Sequence, residues 1–339
     1  MRAQWRVDRE RVLRRRVRRL AGKERKFCSL SAVRCALLLL LLAACGKDAV
    51  RREAAEDTAR RTADGARGKY ERVISTAPSN TEIIAALGLA DRLVAVDRYS
   101  ADIAGLPSGA ALIDFLNPDA EILLTLKPDV IITNSINHQR NGSEPLEALS
   151  KLGIEVVFIP VSNSLEGIMN DVMTIAGLFG VPERGEEITG TMRNEIAVIK
   201  KTGMNISEKR AVYFEIEPPP HIVSFGSGVF LDEMLTIIGA ENIFADQRGF
   251  FVVNAEELIA RNPDVILTNV SELSNPVTEL YARGGFANIS ACKNKRVYFI
   301  GTNESARPSP NVMNALKQIA HAVYPEYYSA ERSTDTVHE

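Results

Sequence analysis

The chain has 339 residues, 45% of them hydrophobic, which is enough length and apolar content for two domains. Its formal net charge of -2 is unevenly distributed, because residues 1–44 carry 13 basic and 3 acidic side chains and residues 45–339 carry 28 basic and 40 acidic ones. The acidic balance of the folded part argues against nucleic acid as a partner.

The first 44 residues have the organisation of an export signal. A basic start precedes the apolar run Ala36–Leu42, which is too short to span a bilayer as a mature helix, and small residues follow up to Cys45. The stretch Leu-Ala-Ala-Cys also resembles the bacterial lipobox. We therefore expect removal of residues 1–44, lipidation of Cys45 and an extracytoplasmic, membrane-anchored location. An ordinary signal peptide or an uncleaved anchor is the alternative.

Loss of the signal would leave Cys292 as the one cysteine besides the lipidated Cys45, so we expect no disulfide within the chain. Residues 45–69 are charged and rich in alanine and arginine without an apolar stripe. This composition predicts a flexible tether between the membrane and the fold.

Residues 70–163 are predicted to form a first lobe of alternating strands and helices. A strand at residues 72–75 leads into a helix, and Ser79 followed by Glu82 has the S-x-x-E spacing of a capping box with Ser79 as the N-cap. Tyr99 follows the next strand in a polar loop.

One segment occurs twice. Residues 121–134 read EILLTLKPDVIITN, and residues 256–269, 135 positions later, read EELIARNPDVILTN, with eight of the fourteen positions identical. Each copy predicts a short amphipathic helix stopped by proline, followed by an apolar run typical of a strand buried on both faces of a parallel sheet. Residues 79–91 and 230–242 form a second matching pair in the same order. We predict two similar lobes; one long α/β domain with recurring units is the alternative.

Residues 164–204 connect the two lobes in the sequence. Apolar residues at helical spacing predict two helices here, the second at about residues 183–201. Because no glycine-rich linker flanks this helix, we expect a stiff connector that allows small relative motions. The second lobe is predicted for residues 205–328, followed by a tail at residues 329–339.

The motifs of common catalytic sites are absent, namely G-x-S-x-G, H-E-x-x-H and paired C-x-x-C. A glycine-rich loop at residues 224–228 precedes a helix but lacks the Lys-Ser/Thr of a nucleotide-binding loop. Convergence of His138 and His221 on zinc is the alternative that the histidines leave open. We expect no catalytic residues, no resident metal or cofactor and no enzymatic activity, and instead a solute bound between the lobes.

Four segments resemble a known family: RVISTAPSNTEIIAALG at residues 72–88, LKPDVI at 126–131, GAENIFAD at 239–246 and RPSP at 307–310. The chain resembles, over about residues 70–328, the substrate-binding lipoproteins of ATP-driven (ABC) importers for cobalamin and iron-siderophore or haem complexes. The resemblance implies an α/β fold of the class III periplasmic binding proteins. In that fold two Rossmann-like lobes with parallel sheets are joined by a single long α-helix, and the ligand binds in the cleft between them.

The same resemblance gives Glu121 and Glu256 a role in docking. In the family, a glutamate at this place on each lobe forms salt bridges to arginines of the permease dimer. Glu257 is the alternate if the alignment shifts by one residue. A carboxylate in the first turn of a helix also complements the helix dipole, which is the structural alternative.

The family's ligand-binding positions also transfer onto this sequence. By position, the cleft aromatics and a cleft arginine of the cobalamin receptors fall on Tyr99, Phe115, Phe214, Phe250 and Arg307. Those receptors tend to use tryptophan, whereas the single tryptophan here, Trp5, lies in the signal. Phenylalanine can still pack against the face of a corrin ring.

The sequence leaves the identity of the ligand open. Anionic siderophores would require several cleft cations, and the arginines in candidate loops are Arg98, Arg140, Arg248 and Arg307. Haem receptors of this class offer a tyrosine to iron, a role that Tyr99 could fill. We predict a metal-chelate receptor, with a corrinoid ahead of a ferric siderophore or haem. The rivals from other classes are a surface lipoprotein that binds a protein partner and an enzyme on the same scaffold.

Overall fold

A computed structural model of the chain describes residues 70–114, 119–134 and 143–328. These residues fall in one unit, Ala66–Glu339. Several sequence predictions lie outside the described residues: the signal at 1–44, Cys45, the tether at 45–69, Phe115, His138, Arg140 and the tail at 329–339. No helix in the described part of the chain is long and apolar enough to cross a membrane.

The first lobe is built on a five-stranded parallel sheet. Its strands, in chain order, are β1 (Val73–Ser75), β2 (Leu93–Asp97), β3 (Ala111–Ile113), β4 (Val130–Asn134) and β5 (Glu155–Ile159). They lie side by side in the order β3-β2-β1-β4-β5. The helices of this lobe are α1 (Pro78–Ala86), α2 (Ala120–Thr125) and α3 (Ser143–Lys151). The central strands β1 and β4 are buried on both faces, because helices cover both sides of the sheet.

Two consecutive helices, α4 (Leu165–Leu178) and α5 (Pro182–Gly203), carry the chain from the first lobe to the second. The first turns of α4, with Leu165 and Ile168, belong to the core of the second lobe. Its last turns, with Val172 and Ile175, belong to the core of the first. The helix α5 has 22 residues and begins with proline at its first turn, where the fixed φ of proline favours a helix start.

The second lobe repeats the parallel architecture with four strands. In chain order these are β6 (Ala211–Glu215), β8 (Glu241–Asn242), β10 (Val265–Thr268) and β11 (Val297–Phe299), arranged as β11-β10-β6-β8. A separate antiparallel pair consists of β7 (Val223–Phe225) and β9 (Phe250–Val252). The helices are α6 (Phe230–Ile237), α7 (Ala255–Arg261), α8 (Pro276–Ala282), α9 (Ser290–Lys293), α10 (Thr302–Ala306) and α11 (Val312–Val323). The predicted fold class, two parallel α/β lobes joined by a long helix, is confirmed.

The repeated segment has the same start in both lobes. Asp119 caps α2 by accepting hydrogen bonds from the backbone N–H groups of Glu121 and Ile122. Asn254 caps α7 in the same way through the N–H groups of the second and third helical residues. Glu121 and Glu256 therefore occupy the same position, second in their helices, and both side chains are exposed.

The end of the repeated segment also matches. Each helix is followed by a residue in the left-handed region, Lys127 with φ 47° and Asn262 with φ 48°, and then by proline. Asp129 accepts a hydrogen bond of 2.8 Å from the backbone N–H of Arg72 at the start of β1. Asp264 accepts a bond of 3.0 Å from the equivalent residue at the start of β6. The similarity of the lobes thus extends to single hydrogen bonds.

The predicted capping box at the first helix is wrong. Helix α1 starts two residues earlier, with Pro78 in its first turn and Ala77 as an extended N-cap that makes no side-chain hydrogen bond. Proline sets the helical φ in advance and fixes the start, so Ser79 lies inside the first turn. Glu82 is consequently free to reach another part of the molecule.

Candidate functional site

The two lobes meet at the carboxyl ends of strands from their parallel sheets. The carboxyl ends of β1 and β2 lead into α1 and a 3₁₀ turn at Arg98–Ser100, and the carboxyl end of β11 leads into α10. In parallel α/β sheets, ligands bind outside the carboxyl ends of the strands. Contacts between these segments therefore place the carboxyl edges of the two sheets opposite each other.

The central contact between the lobes is made by Arg307. Its Nη1 lies 2.9 Å from Oε1 of Glu82, and its Nη2 lies 2.9 Å from Oδ1 of Asp102. Nη2 also donates a hydrogen bond of 2.7 Å to the carbonyl oxygen of Tyr99. One guanidinium from the second lobe thus contacts three groups of the first.

Two further hydrogen bonds flank this arginine. Ser309 donates its hydroxyl to Oε2 of Glu82, and Asn303 donates its side-chain amide to Oδ2 of Asp102. Both oxygens of each carboxylate therefore accept from the second lobe. We call the six groups, Glu82, the Tyr99 carbonyl, Asp102, Asn303, Arg307 and Ser309, the inter-lobe clasp.

The Glu82–Arg307 pair of the clasp is largely withdrawn from water, whereas Asp102 is half exposed. The side chains of Glu82 and Arg307 are 11% and 12% exposed. Burial raises the pKa of Glu82, and the hydrogen bonds from Ser309 and Arg307 oppose that rise without cancelling it. Burial lowers the pKa of Arg307, but its bonds to the two carboxylates outweigh this effect, so the pKa is raised and the guanidinium stays charged.

Two cavities adjoin the region between the lobes. One of about 300 Å³ lies against the clasp and is lined by Glu82, Asp102 and Arg307 among others. The other, of about 660 Å³, lies between the end of α1, the connecting helix α5 and α11. Ala86 and Pro310 line both cavities, so the two spaces adjoin each other.

The predicted ligand-binding residues have different environments. Tyr99 and Phe250 are both 57% exposed, one in the turn after β2 and the other at the start of β9. Arg307 lies between the lobes, where the clasp occupies it. Phe214 is 1% exposed and packs 5.7 Å from the ring of Phe225 in the core of the second lobe. The assignment of Phe214 to the cleft is therefore wrong, because its position within β6 directs the ring into the core.

The arginines proposed to bind anionic ligands also lie in different environments. Arg98 pairs with Asp114 at 3.1 Å on the surface of the first lobe. Arg248 is exposed and forms no ion pair with another described residue. It lies two residues before Phe250, and the backbone turns between them at Gly249, where φ is 67°.

A buried ionic cluster at the carboxyl end of β6 was not found from the sequence. Glu215, 1% exposed, accepts from both Nη atoms of Arg283, at 2.6 and 2.9 Å. Glu279 also contacts Arg283, and Tyr213 donates to Glu215 at 3.1 Å. Every charge in the cluster has a partner, as a buried charge requires. The cluster fastens α8 and the following turn to the sheet.

The chain matches a known protein family. The family model described as Periplasmic binding protein matches residues 73–304. The chain belongs to this family. Periplasmic binding proteins bind solutes and are not enzymes, so the expectation of a non-enzyme is confirmed.

Individual periplasmic binding proteins resemble the chain over most of its length. The ABC transporter substrate-binding lipoprotein YvrC of Bacillus subtilis is 28% identical over 266 residues, which cover 76% of this chain and 81% of YvrC. The vitamin B12-binding protein of Vibrio cholerae is 28% identical over 250 residues, covering 74% and 87%. A crystal structure from Staphylococcus epidermidis, described as a possible iron-binding (periplasmic solute-binding) protein, is 28% identical with a TM-score of 0.68 and covers 76% of this chain and 99% of that one.

No group of three or more histidine, cysteine, aspartate or glutamate side chains converges on a metal position in the described ranges. His221 is exposed. The zinc-site alternative involves His138, which lies outside those ranges.

Proposed function

We propose that this chain is the substrate-binding component of an ABC importer and that its ligand is a metal chelate, a corrinoid before a ferric siderophore or haem. The ligand would occupy the cleft between the carboxyl edges of the two sheets. Tyr99 and Phe250 are the aromatic side chains proposed to contact it.

The observation that carries the choice of ligand is that two of the three described candidate arginines already pair with carboxylates of the protein. Arg307 is neutralised by two carboxylates, and Arg98 pairs with Asp114. Of the candidate arginines that the structure describes, this leaves Arg248 for a ligand anion. A polyanionic siderophore would meet few unpaired cations in the cleft, so the transfer of its charges out of water would be unfavourable.

A corrinoid fits these side chains better. Its large ring system offers apolar area to exposed aromatic rings, which gain from burial and from ring-face contacts. The similarity to the vitamin B12-binding protein of Vibrio cholerae supports the same choice, and the similarity to the Staphylococcus structure keeps iron chelates as the second candidate.

Calorimetric titration of the purified chain with cyanocobalamin, haemin and a ferric siderophore tests the ligand. We expect cyanocobalamin to bind most tightly and Phe250→Ala to weaken binding at least about ten-fold, the scale of one well-buried aromatic contact. The control is Tyr327→Ala, since Tyr327 is 51% exposed and lies beside Tyr324, at the amino end of β6 and away from the cleft. Tight binding of haemin or the siderophore with no response to cyanocobalamin would reject the corrinoid assignment.

The proposed function includes attachment to the membrane through a lipid on Cys45. The Leu-Ala-Ala-Cys stretch and the similarity to a lipoprotein of Bacillus subtilis support it. Mass spectrometry of the mature N-terminus should find an acylated cysteine, and Cys45→Ser should release the protein from membranes. Recovery of an unmodified Cys45 in the mature chain would reject the anchor.

Glu121 and Glu256 are proposed to dock the two lobes on a permease dimer. Both are exposed and occupy equivalent positions in their helices. Substitution of both by arginine should leave ligand affinity unchanged and reduce uptake by intact cells at least about ten-fold, because like charges would then face each other. Glu186→Arg, on the exposed side of α5, provides a matched control. Unchanged uptake by the double variant would reject the docking role.

A further inference from the structure

We infer that the inter-lobe clasp holds the two lobes against each other without a ligand and fixes the turn that carries Tyr99. This inference goes beyond the proposed transport role, because all contacts of the clasp join groups of the protein and none requires a ligand. Arg307 then acts as a positioning residue and not as a ligand contact.

The two sides of the clasp are chemically complementary. The first lobe contributes acceptors, namely the carboxylates of Glu82 and Asp102 and the carbonyl of Tyr99. The second lobe contributes donors, namely the guanidinium of Arg307, the hydroxyl of Ser309 and the amide of Asn303. Each acceptor side chain uses both of its oxygens. Charge-assisted bonds with this division of roles are the stronger class of protein hydrogen bonds.

Separation of the lobes would leave an unfavourable arrangement on the first lobe. The charge of Asp102 repels that of Glu82, and Arg307 is the cation that compensates both. Exposed ion pairs contribute little to stability, but the Glu82–Arg307 pair is mostly buried. Removal of one partner of such a pair leaves an uncompensated charge. The clasp therefore favours the arrangement in which the lobes touch.

The clasp also positions the proposed ligand side chain. Asp97, which is fully buried, accepts hydrogen bonds from the N–H of Tyr99 and the hydroxyl of Ser100 at the base of the turn. Arg307 holds the carbonyl of Tyr99 from the other lobe. The backbone of Tyr99 is thus fixed from both sides, and closure of the lobes and placement of this ring are coupled.

Hydrogen–deuterium exchange of the purified full chain in ligand-free buffer tests the clasp. The reporters are the backbone N–H of Ile103, bonded to Ser100, and the N–H of Arg307, bonded to Asn303. We expect Glu82→Gln and Arg307→Gln each to speed exchange in peptides 98–104 and 302–312 by about ten-fold, the scale of a lost hydrogen bond to a charged group. Arg307→Lys should give an intermediate rate, because lysine keeps the charge but not the planar fork.

The double variant Glu82→Gln/Arg307→Gln separates coupling from independent effects. If the two side chains act through each other, the double variant exchanges no more than about two-fold faster than the faster single variant. Arg193→Gln is the control, since it breaks an exposed pair with Glu166 at 3.2 Å and should leave both peptides unchanged. Ser309→Ala removes one hydrogen bond and serves if Arg307→Gln does not fold. Unchanged exchange in the clasp variants, or effects that multiply in the double variant, would overturn the inference.

The same variants distinguish the clasp from a ligand role for Arg307. The exchange experiment uses no ligand, so its failure leaves the corrinoid proposal untouched, and failure of cyanocobalamin binding leaves the clasp untouched. If Arg307 instead served an anionic ligand, Glu82→Gln would release it and tighten haemin binding. Tighter haemin binding without faster exchange would therefore also overturn the inference.

Discussion

The connecting helix α5 contains two glycines whose surroundings predict opposite effects of the same substitution. A Cβ built on Gly190 meets no atom within 4 Å. A Cβ built on Gly203, at the end of the helix, would overlap the carbonyl oxygen of Ile237 and lie 2.7 Å from the carbonyl carbon of Ile238. These neighbours are backbone atoms at the end of α6, so they cannot move aside as a flexible side chain could.

The magnitudes follow from these distances. Gly190→Ala should stabilise the fold by about 0.5–1 kcal/mol, because alanine loses less backbone entropy in a helix. Gly203→Ala should destabilise it by about 2 kcal/mol or more, since overpacking against a rigid neighbour typically costs about 1–3 kcal/mol and the connection between α5 and α6 must shift. The corresponding changes in Tm are about +1 to +4 °C for the first variant and about -4 to -8 °C for the second.

Differential scanning calorimetry on both variants, with urea unfolding as a second probe, measures the contrast. The two substitutions add the same methyl group to the same helix, so each is the control for the other. A stabilising Gly203→Ala, or a loss of similar size in both variants, would refute the claim that α5 and the second lobe are in direct backbone contact.

Three further predictions concern buried groups. Burial raises the pKa of Asp171 to about 6 from 3.8; the folded state therefore binds its proton more tightly than the unfolded state, and the carboxylate costs stability above about pH 6 but not below about pH 4. Asp171→Asn should raise the free energy of unfolding relative to wild type, and this difference should grow by about 2–3 kcal/mol from pH 4 to pH 8 in urea unfolding. A difference that does not change with pH would contradict this. Phe214→Ala should lose about 3–5 kcal/mol as a fully buried ring, whereas Phe250→Ala should change stability by less than about 1 kcal/mol; equal losses in thermal unfolding would show that Phe214 is not in the core. Arg283→Met should cost about 3–5 kcal/mol by leaving Glu215 unpaired, and adding Glu215→Leu should recover much of the loss; a double variant no more stable than the single one would refute this.

The elements that could be predicted from the sequence are those determined by neighbouring residues. The repeated segment carried its own stop signal and its own apolar run, so both of its strands and both of its helices were found near the correct positions. The long helix α5 followed from its apolar stripe. The short strands β7 and β9 were missed, because three residues carry little periodicity and their pairing joins residues 25 to 29 positions apart, from Phe225 with Phe250 to Val223 with Val252.

The candidate site was harder to predict because its contacts are distant in sequence. Arg307 was identified as a cleft residue, but its partner Glu82 is 225 positions away. Glu82 itself was assigned to a capping box, since the S-x-x-E spacing is the same whether or not the preceding proline has already started the helix. Phe214 was placed in the cleft by transfer of position alone. Its place inside a run of apolar residues, typical of a strand buried on both faces of a parallel sheet, could have shown that this side chain lies in the core.

The matched caps of α2 and α7 have one more consequence. Each cap fixes the first turn of its helix, and Leu123 and Leu258 pack the two helices into their own lobes. The carboxylates of Glu121 and Glu256 therefore approach or separate only when the lobes themselves rotate. The spacing of these two negative charges is therefore a measure of the angle between the lobes. A partner with two rigidly spaced cations would bind one angle more tightly than another, and could in this way distinguish a loaded receptor from an empty one without touching the cargo.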